Sequence, residues 1–107
     1  MNEISATEAF ERICLGNITV LDVREKDEFE AGRISQAIHN PLSNFDMSLV
    51  PASGDVVVVC RSGVRSQRVC EALEAQFQQL FNLQGGMKAW ALLGFSMESD
   101  FGEPEVI

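Results

Sequence analysis

The stretch that decides the fold is residues 56–66, which read VVVVCRSGVRS. The four valines do not alternate with polar residues, so both faces of the strand that they form are predicted to be buried. A strand of this kind is typical of the centre of a parallel sheet. Cys60 follows it directly and would lie at its carboxyl end, where parallel sheets place their ligand sites.

Segments that predict strands and helices alternate along the rest of the chain. Further strands are predicted over 18–23, over 80–83 and, more weakly, over 34–38. Helices are predicted from a capping box at 5–8 to about residue 16, over 25–31, over 66–79, and from the glycine pair at 85–86 to residue 94, with a helical turn over 43–50. This order predicts an α/β sandwich with a mostly parallel sheet. Residues 1–96 are interpreted as one domain and 97–107 as an acidic segment, either a mobile tail or a linker to something missing.

Composition excludes several classes of protein. A net charge of -8 argues against binding to nucleic acid or anionic membranes. Three cysteines and one histidine, without zinc-type spacing, predict neither a disulfide framework nor a metal site. The sequence shows no signal-peptide pattern and no apolar run long enough to span a membrane. We therefore expect a cytoplasmic protein with free thiols and without a cofactor.

The loop after the valine strand predicts a reactive thiol. Its amides and the start of the next helix, near Ser66, would converge on one point and favour an anion. Gly63 permits a tight ring, and Arg61 and Arg65 add positive charge. A cysteine pKa, ordinarily about 8.5, falls by roughly one to several units in such surroundings. Cys60 is therefore the predicted nucleophile, and it needs no histidine base.

The other two cysteines are interpreted as structural. Cys70 lies on an apolar helical stripe with Leu73 and Phe77. Cys14 follows Phe10 and Ile13 in the first predicted helix. Buried cysteines on such stripes usually behave as small apolar side chains.

Three segments, in this order, resemble the single-domain rhodanese family. They are TVLDVREKDEFEAGRI at 19–34, VVVVCRSGVRS at 56–66 and NLQGGMKAWALLGF at 82–95. The resemblance extends over nearly the whole chain, from about residue 4 to residue 95. It implies a five-stranded parallel sheet flanked by helices and a sulfurtransferase activity.

The resemblance also implies roles for the residues of the loop. Cys60 would carry a persulfide, received from a thiosulfate-like anion and passed to cyanide, a thiol or a protein acceptor. Arg61 and Arg65 would help to bind the donor. The amides of the residues after the cysteine would cradle the sulfur; these residues are Arg61, Ser62, Gly63, Val64 and Arg65.

Residues elsewhere in the matching segments are interpreted as support. Asp22 and Arg24 are expected to form a buried network and Trp90 to pack in the core, while His39 is expected at the surface or a strand end. One departure is visible, because the chain reads GRISQA at 32–37 where the family often reads GHIPGA. The change brings Arg33 into this connecting segment, where it would add positive charge near the site.

Two alternatives remain beside sulfur transfer. One is a rhodanese-fold phosphatase, but only four residues separate Cys60 from Arg65, whereas cysteine phosphatases have five. The shorter ring fits a single sulfur atom better than a tetrahedral phosphate, and no aspartate is an obvious general acid. The other alternative is a regulatory or partner-binding module with little turnover.

Overall fold

The computed structural model describes residues 2–107 and contains a five-stranded sheet with four α-helices. The strands are β1 (Asn2–Ile4), β2 (Thr19–Asp22), β3 (Ile38–His39), β4 (Val56–Val59) and β5 (Leu80–Leu83). The helices are α1 (Ala6–Cys14), α2 (Lys26–Ala31), α3 (Val64–Leu73) and α4 (Gly86–Leu92). The strand order is β1-β5-β4-β2-β3, and every pair is parallel. The predicted α/β fold with a five-stranded parallel sheet is confirmed.

The valine strand β4 lies in the centre of the sheet, paired with β2 on one side and β5 on the other. All four of its side chains are fully buried. Val57 and Val59 belong to the core cluster that contains Trp90, and Val56 and Val58 to the cluster on the other face. Each buried valine contributes about 1.5–3 kcal/mol relative to an exposed one. The non-alternating run therefore supplies both layers of core, as the sequence predicted.

Several element boundaries differ from the predictions. Strand β1 was not predicted, and the strand expected over 34–38 is reduced to β3. The turn expected over 43–50 is a pair of 3₁₀ turns, Leu42–Asn44 and Met47–Leu49. Helix α3 begins earlier than predicted because Gly63, with φ of 98°, turns the chain directly into it. It ends at Leu73, whose carbonyl accepts hydrogen bonds from the amides of residues 76 and 77.

The C-terminal segment predicted to be mobile is held against the domain, so that prediction is wrong. Glu98 and Arg33 exchange two backbone hydrogen bonds of 2.9 Å. The amides of Asp100 and Glu105 donate, at 2.9 Å each, to two carbonyls in the last turn of α2. Those carbonyls have no partner within the helix, so the segment completes the end of α2. Val106 packs against the core as well.

The stretch 32–37, where the sequence differs from the usual rhodanese pattern, contains residues that contact the C-terminal segment. The Arg33 guanidinium lies 2.8 Å from Asp100 and 3.4 Å from Glu98, and the Ser35 hydroxyl donates to Glu98. A Cβ on Gly32 would lie 2.4 Å from the carbonyl oxygen of Glu105. The charge of Arg33 is thus engaged by the C-terminal segment rather than by the loop.

Over residues 2–107, no helix is long and apolar enough to cross a membrane.

Candidate active site

The start of α4 holds the loop that carries Cys60 through two main-chain hydrogen bonds. The amide of Met87 donates to the carbonyl of Cys60 at 2.8 Å, and the amide of Lys88 donates to that of Arg61 at 3.0 Å. Gly86 makes this approach possible, since a Cβ there would lie 2.6 Å from both carbonyl oxygens. First-turn amides of a helix have no partner within the helix, so α4 can use them to fix the start of the loop.

Three hydrogen-bond donors converge on the buried sulfur of Cys60. The amide of Gly63 lies 3.1 Å from Sγ, the amide of Ser66 lies 3.4 Å away, and the Ser66 hydroxyl lies 3.3 Å away. The cysteine itself is fully buried. Such a ring of N–H and O–H groups stabilises a negative charge on the atom at its centre.

The balance of these effects lowers the pKa of Cys60. Burial alone raises this pKa, because it disfavours the charged form. Hydrogen bonds from the Ser66 hydroxyl and amide, and from the amides of Gly63 and Ser62, lower it by more. The predicted activated thiol is therefore supported; hydrogen bonding within the loop is the main cause of the lowered pKa, and a charge interaction between Arg65 and Cys60 acts beside it.

A polar network behind the loop orients the Ser66 hydroxyl. The side-chain amide of Asn82 donates to the carboxylate of Glu3 at 2.8 Å and to the carbonyl of Gly63 at 3.2 Å. These two acceptors direct Nδ2 away from Ser66, so Oδ1 of Asn82 faces the hydroxyl and accepts from it. The single hydroxyl proton therefore serves either Asn82 or the sulfur of Cys60.

The sequence pattern did not predict this network. Ser66 was expected only to mark the beginning of a helix, and Asn82 was not among the predicted site residues. A polar residue within the short apolar strand β5 was the available signal, because a buried amide needs partners.

Both arginines of the loop have partners away from the sulfur. Nε of Arg61, on an exposed side chain, donates to the carbonyl of Ile107 at 2.9 Å. The two terminal nitrogens of Arg65 donate to the two carboxylate oxygens of Glu28, each at 2.8 Å. This pairing raises the pKa of Arg65 and lowers that of Glu28. Neither side chain donates to Cys60 here, so their contact with a donor anion stays a prediction.

The remaining loop residues, Ser62 and Val64, have exposed side chains. Val64 is 55% exposed although it begins helix α3. Only main-chain groups of the loop therefore face the sulfur, together with the hydroxyl of Ser66. Because those groups are independent of side-chain chemistry, the loop's geometry rather than its composition defines the ring.

Asp22 and Arg24 form the buried network that the sequence predicted. Both side chains are fully buried and lie 2.7 Å apart, and Arg24 also donates to the carbonyl of Gly32 at 2.8 Å. The ring of His39 lies 2.8 Å from the carbonyl of Arg24 and stacks on Phe29. Asp22 and Arg24 therefore stabilise the end of β2 and of α2, and His39 contacts this support.

The two other cysteines differ from each other. Cys70 is buried, and burial raises its pKa to about 12, which suits a structural role. Cys14 is exposed, so the expectation that it packs on the apolar stripe is wrong. The buried line of α1 passes through Ala6 and Ala9. Cys14, five residues after Ala9, points about 140° away from it around the helix.

Comparison with known proteins agrees with this architecture. The Rhodanese-like domain model matches residues 5–93. A sulfurtransferase of Allochromatium vinosum is 34% identical over 106 residues, which cover 95% of this chain and 99% of that protein. The thiosulfate sulfurtransferase GlpE of Coxiella burnetii is 32% identical over 91 residues, 82% of this chain and 85% of that one.

A solved structure shows the same fold. The crystal structure of a rhodanese-related protein from Thermoplasma volcanium superimposes with a TM-score of 0.85 at 28% identity, and covers 92% of this chain and 98% of that one. The cysteine loop, the five-stranded parallel sheet and the family match together identify the chain as a member of the rhodanese-like domain family.

Proposed function

We propose that the protein is a sulfurtransferase that carries sulfane sulfur as a persulfide on Cys60. The observation that carries the proposal is the convergence of the Gly63 amide and of the Ser66 amide and hydroxyl on one buried sulfur. The names of the relatives, sulfurtransferase and thiosulfate sulfurtransferase, support the same reaction class. The catalytic unit is proposed to be residues 1–96, working in the cytoplasm.

The first step is attack on the donor. The Cys60 thiolate attacks the outer sulfur of thiosulfate, a bond forms between Sγ and that sulfur, and the S–S bond of thiosulfate breaks. Sulfite leaves with the electron pair, and the negative charge moves to the outer sulfur of the new persulfide. The lowered pKa of Cys60 provides the thiolate without a general base.

The second step regenerates the enzyme. An acceptor nucleophile, cyanide or a thiolate, attacks the outer sulfur and the bond from this sulfur to Sγ breaks. The electron pair returns to Cys60 as thiolate. The same donors that lower the pKa of the thiol stabilise this leaving group, so one ring of hydrogen bonds serves both steps.

The two arginines are proposed to attract the donor anion. Arg61 is exposed and has no side-chain carboxylate partner; its Nε donates to the main-chain oxygen of Ile107, and the rest of its guanidinium is proposed to face the mouth of the loop. Arg65 is paired with Glu28, which offsets much of its charge, but it is proposed to leave some positive electrostatic potential near Cys60. Because the chain has a net charge of -8 and repels anions, the donor anion needs this local positive charge to approach Cys60.

Intact mass and peptide mapping after treatment with thiosulfate test the proposal. We expect one extra sulfur, about 32 Da, on the peptide that contains Cys60. Cys60→Ser should lose this mass, whereas Cys14→Ser and Cys70→Ser should retain it. Thiocyanate release from cyanide, followed in the same variants, measures turnover.

Three results would contradict the proposal. Sulfur found chiefly on Cys70 would show that the buried helix cysteine, not the loop, is the carrier. Efficient hydrolysis of aryl phosphates without any reaction with thiosulfate would show a phosphatase instead. Loading of Cys60 without turnover would favour the regulatory module.

A further inference from the structure

The positive charges without a side-chain carboxylate partner lie on the elements that build the Cys60 loop. The chain has eight lysines and arginines. Five of them lie within 4.0 Å of a carboxylate, namely Arg12, Arg24, Lys26, Arg33 and Arg65. Within residues 2–107, the other three, Arg61, Arg68 and Lys88, form no such pair with a side-chain carboxylate, although Nε of Arg61 donates to the main-chain oxygen of Ile107. All three are exposed.

These three residues lie on the elements that build the loop. Arg61 follows the nucleophile, and the amide of Lys88 is bonded to the carbonyl of Arg61. Both side chains line a shallow cleft of about 340 Å³. Arg68 lies one helical turn after Val64, on the same side of α3. The nearby carboxylate of Glu71 accepts a hydrogen bond from Gln67 instead of pairing with Arg68.

Exposed apolar side chains accompany the positive charges. Leu92, in the cleft between Arg61 and Lys88, is 85% exposed, and Val64 is 55% exposed. Apolar side chains surrounded by polar residues of one charge are typical of protein-binding surfaces. Val64 and Leu92, with Arg61, Arg68 and Lys88, make up a candidate patch on α3, the loop and α4.

We propose that the sulfur acceptor is an acidic protein segment that presents a thiol, and that it docks on this patch of Arg61, Arg68, Lys88, Val64 and Leu92. This inference rests on the proposed persulfide of Cys60. The docked thiolate attacks the outer sulfur, a new S–S bond forms on the acceptor, and the bond to Sγ breaks. The acceptor leaves as a persulfide and Cys60 as a thiolate, with no net oxidation or reduction.

The choice of an acidic partner follows from the charge distribution. The whole chain, these three cations included, carries a net charge of -8, so the rest of the molecule is more negative still and repels an acidic protein. Attraction is therefore confined to the mouth of the loop, which would guide the acceptor to the sulfur and to no other face. Since Cys60 is fully buried, the thiol must arrive on a protruding segment of the partner.

Matched peptide thiols test the proposal. Protein loaded on Cys60, with loading checked by mass, is mixed with peptides in which one cysteine is flanked by four glutamates, four serines or four lysines. Transfer is timed by mass at low salt. Each rate is divided by the same peptide's rate with neutral 4,4′-dithiodipyridine, because flanking charge alters the thiol's own reactivity.

We expect the glutamate peptide to be preferred to the serine peptide by about tenfold at low salt and to lose this preference at 0.5 M salt. Arg68→Ala and Lys88→Ala should each reduce the preference about two- to threefold. Lys26→Ala, which removes an exposed lysine on α2, should leave it unchanged. Equal normalised rates for all peptides, a preference for the lysine peptide, or a faster normalised rate with glutathione would overturn the proposal.

A binding measurement separates this proposal from the proposed function. The glutamate peptide with serine in place of its cysteine is labelled, and its anisotropy is followed as unloaded protein is added. Salt-sensitive binding that weakens in Lys88→Ala supports the docking surface even if thiosulfate fails to load Cys60. Absence of binding, with loading intact, rejects the docking surface alone.

Discussion

Arg65 and Glu28 form a two-pronged ion pair, with both carboxylate oxygens 2.8 Å from the guanidinium. The pair joins the first turn of α3, directly after the cysteine loop, to α2. No residue of α2 is fully buried, so this polar pair helps to hold the helix in place beside the packing of Phe29 on His39. The pair therefore gives Arg65 a structural role beside its proposed attraction of the donor.

Separate substitutions distinguish the two roles of Arg65. Arg65→Ala removes the charge and the pair, and we expect kcat/KM for thiosulfate to fall about ten- to a hundredfold, the scale of one charge-assisted hydrogen bond of about 1.5–3 kcal/mol. Glu28→Gln removes the ion pair but keeps the charge of Arg65, and should lower kcat/KM for thiosulfate by less than about threefold. Equal losses in the two variants, measured by steady-state kinetics, would reduce Arg65 to a positioning residue.

The same pair makes stability depend on pH. Its formation lowers the pKa of Glu28 in the folded protein, so its contribution is fully present above the unfolded value of about 4.3. That contribution is lost as the pH falls through the lower folded pKa. We expect urea denaturation at pH 7 to show that Glu28→Gln lowers the free energy of unfolding by about 1–2 kcal/mol. This loss lies between the values typical of breaking an exposed and a buried ion pair. A difference that persists undiminished well below pH 4 would contradict this origin.

We expect the Ser66 hydroxyl to influence the reactivity of Cys60. Ser66→Ala removes one of the donors that lower the pKa of Cys60, so this pKa should rise and the thiolate fraction at neutral or lower pH should fall about tenfold. Alkylation by iodoacetamide as a function of pH measures the effect. Ser66→Thr keeps a hydroxyl and should restore most of the rate. An alkylation profile in Ser66→Ala identical to that of the native protein would remove Ser66 from the site.

Gly86 permits the close approach of α4 to the loop. Gly86→Ala would place a methyl group against the carbonyls of Cys60 and Arg61, and should lower sulfur transfer at least tenfold by displacing the loop. Gly94→Ala is a matched control, because Gly94 also has a positive φ, 74° against 60°, but has nothing within 4 Å of an added Cβ. It should cost only about 1 kcal/mol of stability and leave transfer intact. If Gly86→Ala and Gly94→Ala lost activity equally, in samples shown by thermal denaturation to be folded, the close contact at Gly86 would not explain the loss.

The C-terminal segment should be protected from hydrogen exchange. The amides of Glu98, Asp100 and Glu105 donate to main-chain carbonyls, so their exchange should be slowed well beyond that of a mobile tail. Arg33→Ala removes the ion pairs to this segment and should speed exchange there by about three- to tenfold. Arg12→Ala breaks a comparable pair elsewhere and serves as control. Fast exchange in the native protein would show that the segment is not held.

Much of the fold followed from short-range pattern. A valine run that does not alternate has to be buried on both faces, which places β4 at the centre and Cys60 at a carboxyl end. Strand β1 was not predicted because three residues at a sheet edge, two of them exposed, carry no such pattern. The exposure of Cys14 was missed for a similar reason, since a helical stripe leaves the orientation of its last residue undefined.

What the sequence by itself determined is the position of the proposed nucleophile and of the loop around it, because Cys60, Gly63 and Ser66 lie within seven consecutive residues and local backbone geometry brings them together. What only the tertiary structure decided is the environment of that ring. Glu28 is 37 residues from Arg65 along the chain, Asn82 is 16 from Ser66, and Asp100 is 67 from Arg33. Polar side chains carry no periodicity that identifies such distant partners. Their pairing depends on which strands become neighbours when the apolar core forms.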